Sequence, residues 1–355
     1  MIDTLNIEVQ LTTNSRLPEV NFKDLKFGRV FSDHMLVADY ENGQWTQCQI
    51  VPFGNLSISP ANATLHYGQT IFEGLKAYLN DAGEALVFRP EDNYERMVKS
   101  AERMCMPAIP KEIFMEGLKQ LLQVDKEWIP KVPGGSLYIR PFMFASEEFI
   151  GIRPAESYKF VIFTCPVGTY YTEPVKVKIE THYTRAIEGG TGFAKTAANY
   201  AISLYPARMN QQKGYHQLVW TDGKEHKYIE ESGTMNIIFR KGNTIITPML
   251  GDTILDGITR RSVLQLAKDW GYEVQERKVL VTEIVEYLKN NELDEVFGAG
   301  TAATIAHIVL MNYEGTDYHL PAIETRTFSN KVLQTLNDLK HGLIPDEYGW
   351  VMKVD

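Results

Sequence analysis

A chain of 355 residues, 44% of them hydrophobic, buries a sizeable core, and its length predicts two domains. The formal net charge of -9 at pH 7 argues against nucleic acid or an anionic membrane as partner, since both need a concentrated basic face, and leaves a small metabolite as the expected one. The three cysteines, Cys48, Cys105 and Cys165, are far apart and lack metal-ligand spacing, so they read as buried small hydrophobes of a reducing compartment, with no disulfide framework. The first residues carry no apolar signal core and no run is long enough to span a bilayer, which predicts a cytoplasmic protein.

In chain order, Leu75 to Tyr78 and Ala85 to Phe88 flank the turn-forming Asn80-Asp81-Ala82-Gly83 and read as a hairpin. Met97, Ala101, Met104 and Cys105 recur at three- and four-residue steps and predict a helix that Pro107 stops. Phe114, Leu118, Leu121 and Leu122 predict a second helix, ending before Pro130. Strands are expected from Ser136 to Phe144 and from Phe160 to Phe163, the latter running into a turn-rich connection. Further on, Gln217 to Trp220 and Met235 to Phe239 read as strands joined through the Asp222-Gly223 turn, and Lys241-Gly242-Asn243 turns into another. Helices return at Thr259 to Trp270, closed by Gly271, at Thr282 to Leu288, and at Thr327 to Leu339. The pattern is α/β with α+β character and mixed strand pairing, its alternation too irregular for a barrel or a doubly wound sheet. Residues 1–165 form the expected small N-terminal α/β domain, 166–176 the connection and 177–355 the large C-terminal domain.

The segment Gly189-Gly190-Thr191-Gly192-Phe193-Ala194-Lys195-Thr196-Ala197-Ala198-Asn199-Tyr200 places a lysine just after a glycine cluster. Glycines let the backbone turn sharply and approach another group closely, and a lysine amine forms a Schiff base with an aldehyde. A nucleotide phosphate loop would need glycine directly before the lysine, where Ala194 stands. A turn leading into a helix with a solvated lysine is the plain alternative for this segment alone. Glu230-Glu231-Ser232-Gly233-Thr234-Met235-Asn236 puts paired carboxylates beside a strand, either as a charged turn or as the partner that keeps a pyridine nitrogen protonated. Gly257-Ile258-Thr259-Arg260 opens a helix whose unpaired N–H groups favour an anion, unless Asp256 or Thr259 caps them. Gly298-Ala299-Gly300-Thr301-Ala302-Ala303, following the strand Asp294 to Phe297, offers a second small-residue anion site or a tight core crossing. Arg96 on the first helix, and Arg140 sharing a strand face with Tyr138, are candidate anion partners among many surface arginines. None of the eight histidines has zinc-like spacing.

Together these segments resemble the branched-chain amino acid aminotransferases, pyridoxal-phosphate enzymes of fold type IV with a two-domain, D-amino acid aminotransferase-like architecture. The landmarks are Tyr67-Gly68-Gln69 with Phe72-Glu73-Gly74, Phe88-Arg89-Pro90 with Arg96, Ser136 to Pro141, Gly189-Gly190 with Lys195 and Asn199-Tyr200, Glu231 with Gly233 to Asn236, Gly257 to Arg260, and Gly300-Thr301-Ala302. Tyr138-Ile139-Arg140-Pro141 and Gly233-Thr234-Met235-Asn236 look closer to the branched-chain subgroup than to D-amino acid aminotransferases or aminodeoxychorismate lyases, which stand as the alternatives on the same fold. A phosphate-metabolite binding protein is the non-enzyme alternative.

The resemblance implies transamination of leucine, isoleucine and valine with 2-oxoglutarate by a homodimer that binds small molecules, no nucleic acid, no membrane and no metal. Lys195 would hold the aldehyde of pyridoxal phosphate as a Schiff base and then shuttle the substrate proton. Glu231 would pair with the pyridinium nitrogen and Tyr200 with the ring's phenolic oxygen. Arg96, Ile258, Thr259 and Thr301 would hold the phosphate, with Arg185 a supporting cation. Thr234 and Ala302 would meet the substrate carboxylate. Phe72, Tyr67, Tyr138 and Tyr170 would line an apolar pocket, Tyr67 and Tyr138 being candidates to reach it from the neighbouring subunit, and Arg140 would bind the distal carboxylate of glutamate. Mammalian members carry a Cys-x-x-Cys pair where this chain has Ala303 and Ala306, so thiol regulation of that kind is not expected. The first ~60 residues match only loosely, and their part in docking or lid formation stays open.

Overall fold

The computed structural model describes residues 7–46, 48–168 and 173–354. Packing divides the chain into two units, one of Met1–Tyr170, Ala194–Ala197 and Asp338–Asp355, the other of Tyr171–Phe193 and Ala198–Asn337. The division therefore differs from two consecutive segments: the short stretch around Lys195 and the last eighteen residues pack with the N-terminal part.

The first unit contains β1 (Glu8–Val9), β2 (His34–Glu41), β3 (Gln44–Trp45), β4 (Gln49–Pro52), β5 (Thr70–Phe72), β6 (Leu75–Leu79), β7 (Ala85–Phe88), β8 (Ser136–Ala145) and β9 (Tyr158–Val167), with the C-terminal strand Val351–Val354. Their order is β1-β4-β2-β9-β8-β6-β7 and then Val351–Val354, with β3 on β2 and β5 on β8. The segment that sequence left without a role supplies a central strand, since β2 pairs with β9 from Met35 to Tyr40. The start of β2 is pinned by Asp125, which accepts from the His34 amide at 3.0 Å and lies 2.6 Å from the ring Nδ1.

Among the described residues, the α-helices α1 (Ala63–Tyr67), α2 (Pro90–Arg103) and α3 (Lys111–Val124) accompany this sheet. The apolar stripe of α3 is buried at Ile113, Phe114, Leu118, Leu121 and Leu122, and at Gly117 a Cβ would stand 2.8 Å from the Leu36 side chain, so the helix approaches β2 as closely as it does only with glycine there. Helix α2 stops at Arg103, short of Pro107, because the Met104 amide turns back on Ser100 and Ala101 and Cys105 takes the left-handed φ of 53°. Cys105 is accordingly exposed, against the expectation of a buried thiol, while Cys48 and Cys165 are buried.

The second unit holds β10 (Val175–Ile179), β11 (Gln217–Thr221), β12 (Tyr228–Ser232), β13 (Met235–Lys241), β14 (Thr244–Pro248), β15 (Glu273–Arg277), β16 (Val279–Leu280), β17 (Glu295–Gly300), β18 (Thr304–Tyr313) and β19 (Thr316–His319). Strand pairing closes on itself through β13-β17-β18-β10-β11-β12 and back to β13, a ring that irregular strand–helix alternation concealed. Strand β12 is also missing from the sequence expectation, which ran the Asp222-Gly223 turn directly into Met235 to Phe239. Its polar Glu230-Glu231-Ser232 end obscures the strand pattern, yet all three residues are buried. The Asp222 carboxylate accepts from the amides of Glu225, Lys227 and Tyr228 and so turns the chain into β12. Strand β17 continues through Gly300, beyond the expected Phe297, because Gly298 and Gly300 let Met235 lie across the strand; a Cβ at Gly298 would meet its methyl at 2.7 Å.

Helices of this unit are α4 (Ala198–Ala201), α5 (Leu204–Gln211), α6 (Ile258–Asp269) and α7 (Val281–Lys289), followed by α8 (Thr327–Lys340), which runs on past Asn337. Helix α6 ends where Gly271 adopts a φ of 78°, as the glycine stop implied. Among the described residues no helix is long and apolar enough to cross a membrane, and no cluster of three His, Cys, Asp or Glu side chains could hold a metal ion.

Candidate active site

In the first unit the Lys195 peptide is docked on β5. The Phe72 amide donates to the Lys195 carbonyl at 3.0 Å, and the Ala197 amide and Thr196 hydroxyl donate to the Thr70 carbonyl at 3.1 and 2.8 Å. Helix α2 holds the other side, the Lys195 amide donating to Ser100 Oγ at 2.9 Å. These bonds fix the backbone so that the half-buried side chain carries Nζ to 4.9 Å from the Phe72 ring centroid. Arg140 approaches the same ring, its Cζ 4.6 Å from the centroid, and its Nη2 donates to the Tyr138 hydroxyl at 2.9 Å. Tyr138 thus stands beside Arg140, and Gly74 leaves it room, since a Cβ there would lie 2.2 Å from the hydroxyl. Tyr67 closes α1 and is exposed.

Arg96 does not lie open as a lone anion partner. Its Nε and Nη2 grip Glu73 at 2.8 and 2.9 Å, both residues being buried. Asn93 Nδ2 and the Gly74 amide add bonds of 2.7 and 3.1 Å to the same carboxylate. Burial alone would push the Glu73 carboxyl up, but the charge and hydrogen bonds of Arg96, the charge of Lys195 and the bond from Asn93 outweigh it and hold the group below the ordinary carboxylate range. Asn93, Arg96 and Ser100 form a polar stripe at helical spacing along α2. Arg96 stands out in the sequence, whereas Asn93 and Ser100 are masked by the apolar positions between them.

In the second unit Glu231 lies at the end of β12, paired with Asn236 of β13. One oxygen accepts from the Leu255 amide at 2.8 Å and from Asn236 Nδ2 at 3.5 Å; the other is 3.1 Å from Arg185 Nε. Arg185 is buried and its Nη2 reaches the carbonyls of Gly192 and Thr253. Glu230, next along the strand, is buried with its Oε2 atom unpartnered, and desolvation pushes its carboxyl up to about 7 against the opposing Thr253 hydrogen bond and Arg185 charge. Gly233 turns β12 into β13 at a φ of 59°, and a Cβ there would strike Gln217 at 2.1 Å. Thr234 beside it is exposed.

Helix α6 begins at Ile258 with Gly257 as N-cap and no side-chain cap. Asp256, a capping candidate, instead pairs with Arg261, whose Nε donates at 2.9 Å. Gly257 is required by the approach of Asn236, as a Cβ would stand 1.9 Å from its Oδ1. The buried Ile258 and Thr259 open a helix start that attracts an anion. Thr301 and Ala302 occupy the half-buried turn after β17, and Tyr200 lies half-buried on α4. Thr191 and Asn199 exchange hydrogen bonds of 2.8 and 2.7 Å and tie the two chain ends that flank residues 194–197. Tyr170 lies outside the described residues.

An aldehyde cofactor with a pyridine ring and a phosphate asks for an amine, a carboxylate against the ring nitrogen and an anion-binding backbone. The described residues supply Lys195, the buried Glu231 and the uncapped start of α6, so the donor set fits such a group.

The family described as amino-transferase class IV matches residues 70–310. Branched-chain-amino-acid aminotransferase 2 of Bacillus subtilis (strain 168) is 46% identical over 352 residues, covering 98% of this chain and 97% of that protein. A probable branched-chain-amino-acid aminotransferase of Staphylococcus aureus (strain MRSA252) is 43% identical over 355 residues, 99% of this chain and 98% of the relative. The crystal structure of a branched-chain aminotransferase from Thermoproteus uzoniensis with norvaline aligns at a TM-score of 0.75 and 24% identity, covering 91% of this chain and all of that one. At that identity the likeness is one of fold.

Proposed function

The chain belongs to the class IV aminotransferases, and from that premise we propose that it transfers the amino group of leucine, isoleucine or valine to 2-oxoglutarate, with pyridoxal phosphate as cofactor. Relatives at 46% and 43% identity carry the branched-chain name, and none of those described above carries the D-amino acid or lyase alternative. The single observation that carries the assignment is the Phe72 ring, against which Lys195 Nζ lies 4.9 Å and Arg140 Cζ 4.6 Å from the centroid. An amine, an apolar surface and a guanidinium there suit two substrates in turn: a branched side chain packs on the ring, and a second carboxylate meets Arg140.

Pyridoxal phosphate supplies the electron sink that makes the substrate's α proton removable. Lys195 anchors the cofactor and, once released, carries that proton. Glu231, fixed by the Leu255 amide and Arg185, keeps its carboxylate aimed for the ring nitrogen, and Tyr200 meets the phenolic oxygen. Arg96, Ile258, Thr259 and Thr301 hold the phosphate. Phe72, Tyr138 and Tyr67 form the apolar wall, the exposed Tyr67 being offered to a second copy in a homodimer, while Thr234 and Ala302 meet the α-carboxylate. Acting on free metabolites, the enzyme works in the cytoplasm. Purified protein loaded with pyridoxal phosphate should form glutamate from leucine and 2-oxoglutarate, and borohydride should fix the cofactor on the peptide containing Lys195. Efficient use of D-alanine, or label on another peptide, would overturn the assignment.

A further inference from the structure

Two carboxylates stand next to each other at the end of β12, and only Glu231 has a task so far. Glu230 is also buried, and its Oε2 atom has no hydrogen-bond partner among the described residues. A core position gains nothing from such a group: an unpartnered buried oxygen costs free energy, and a glutamine of the same shape would bring no charge. Packing therefore does not account for Glu230.

Its surroundings do. The Thr253 hydroxyl bonds to Glu230, while the Thr253 carbonyl accepts from Arg185 Nη2, which also reaches the Gly192 carbonyl at 3.3 Å. Those carbonyls moor the guanidinium, so Arg185 cannot swing to follow whichever carboxylate is ionised. Its Nε lies 3.1 Å from Glu231 Oε2 without an aligned hydrogen bond, and the contact is chiefly one of charge. The charged groups acting on Glu230 are Arg185, which favours ionisation, and Glu231 and the Asp222 carboxylate of the turn before β12, which oppose it. Burial outweighs the cation and pushes the Glu230 carboxyl up to about 7. With Glu230 protonated, the charges of Arg185 and Glu231 cancel. A protonated ring nitrogen would then add a cation that nothing in this cluster offsets, and an unbalanced charge held away from water is costly. With Glu230 ionised, the three side chains carry one surplus negative charge, which the ring proton matches.

Resting on the cofactor assignment above, we propose that Glu230 is a positioning residue acting through Arg185: it is protonated in the cofactor-free chain and releases that proton to water as a protonated ring nitrogen meets Glu231. The Glu230 O–H bond breaks, the carboxylate keeps the electron pair, and the buried cluster ends neutral.

Calorimetric titration of the cofactor-free full chain with pyridoxal phosphate, repeated in buffers of different ionisation enthalpy, counts the protons released. At about pH 6 the wild type should release about one proton more than Glu230→Gln, because every other ionisation is shared by the two proteins. Glu230→Asp keeps an ionisable group and should restore most of the difference. The visible band of the bound cofactor gives a second reading. Its midpoint pH should be lower in Glu230→Gln, which lacks the negative charge that steadies a protonated cofactor. Equal proton counts in the wild type and Glu230→Gln, or the same midpoint in both, would overturn the proposal. Weaker cofactor binding by the variant with no change in either reading would do the same, since it marks a merely structural residue. Failure of the wild type to take up pyridoxal phosphate would remove the cofactor assignment and this inference with it, whereas uptake with equal proton counts removes the inference alone.

Discussion

Arg185 Nε stands 3.1 Å from Glu231 Oε2, both side chains buried at the end of β12. A carboxylate already matched to a cation and to the Leu255 amide cannot swing away when a ring nitrogen approaches; it is aimed in advance. Glu231→Gln should therefore keep the shape of the contact and lose the charge. Cofactor should still be retained, while the single-turnover rate with leucine falls on the order of 10²-fold, the usual scale for one preorganised electrostatic partner. Stopped-flow absorbance measures this, and an unchanged rate would shift attention to Glu230.

Arg140 separates the two substrates. Only glutamate and 2-oxoglutarate bring a second carboxylate, and a charge-assisted hydrogen bond is worth ~1.5–3 kcal/mol, or roughly 10- to 150-fold. Arg140→Ala should slow the glutamate half-reaction by that factor, while the leucine half-reaction changes little. Equal losses in both half-reactions would make Arg140 a support for Phe72 and Tyr138.

Thiol chemistry should be confined to one residue. Burial pushes the Cys48 and Cys165 thiols up to about 11, whereas Cys105 is exposed. An aromatic disulfide reagent should thus titrate one thiol in the native protein and three after denaturation. Ala303 and Ala306 offer no local pair, so mild peroxide should cause no inactivation that dithiothreitol reverses.

Glu230 makes stability fall with rising pH. Its carboxyl moves from 4.5 to about 7 on folding, so the folded protein binds the proton more tightly. This group's contribution is fully present below the unfolded value and is lost as pH rises through about 7. Glu230→Gln imitates the protonated form. Its melting temperature without cofactor should match the wild type at about pH 4, below the unfolded value, and exceed it at about pH 8. A variant equally unstable at both would show that the carboxyl makes an ionised contact instead.

Local combinations that are rare in ordinary turns, such as the glycine cluster before Lys195 and the paired carboxylates before Gly233, stand out along the chain. Elements with sustained periodicity, α3 and α6 among them, are equally legible. Partnerships are not. Glu73 and Arg96 lie 23 positions apart in sequence, and nothing in either neighbourhood announces that one grips the other. The ring in the second unit escapes for the same reason: its closing contact, β12 against β13, depends on a strand whose polar end hides it. Cys105 escapes because a left-handed residue after a helix turns on a backbone angle that apolar spacing does not encode.

Val351–Val354 pairs with β7 along Ala85–Phe88, and the Lys195 stretch belongs to the same unit. On the ribosome, at ~5–20 residues per second, β7 therefore waits on the order of 10–50 s for its last neighbour. Through that interval the edge of β7 is a template for any extended chain, and another nascent copy is the nearest one. Removing the final strand should consequently be felt first in yield and aggregation during synthesis, before any change in turnover by the molecules that do mature.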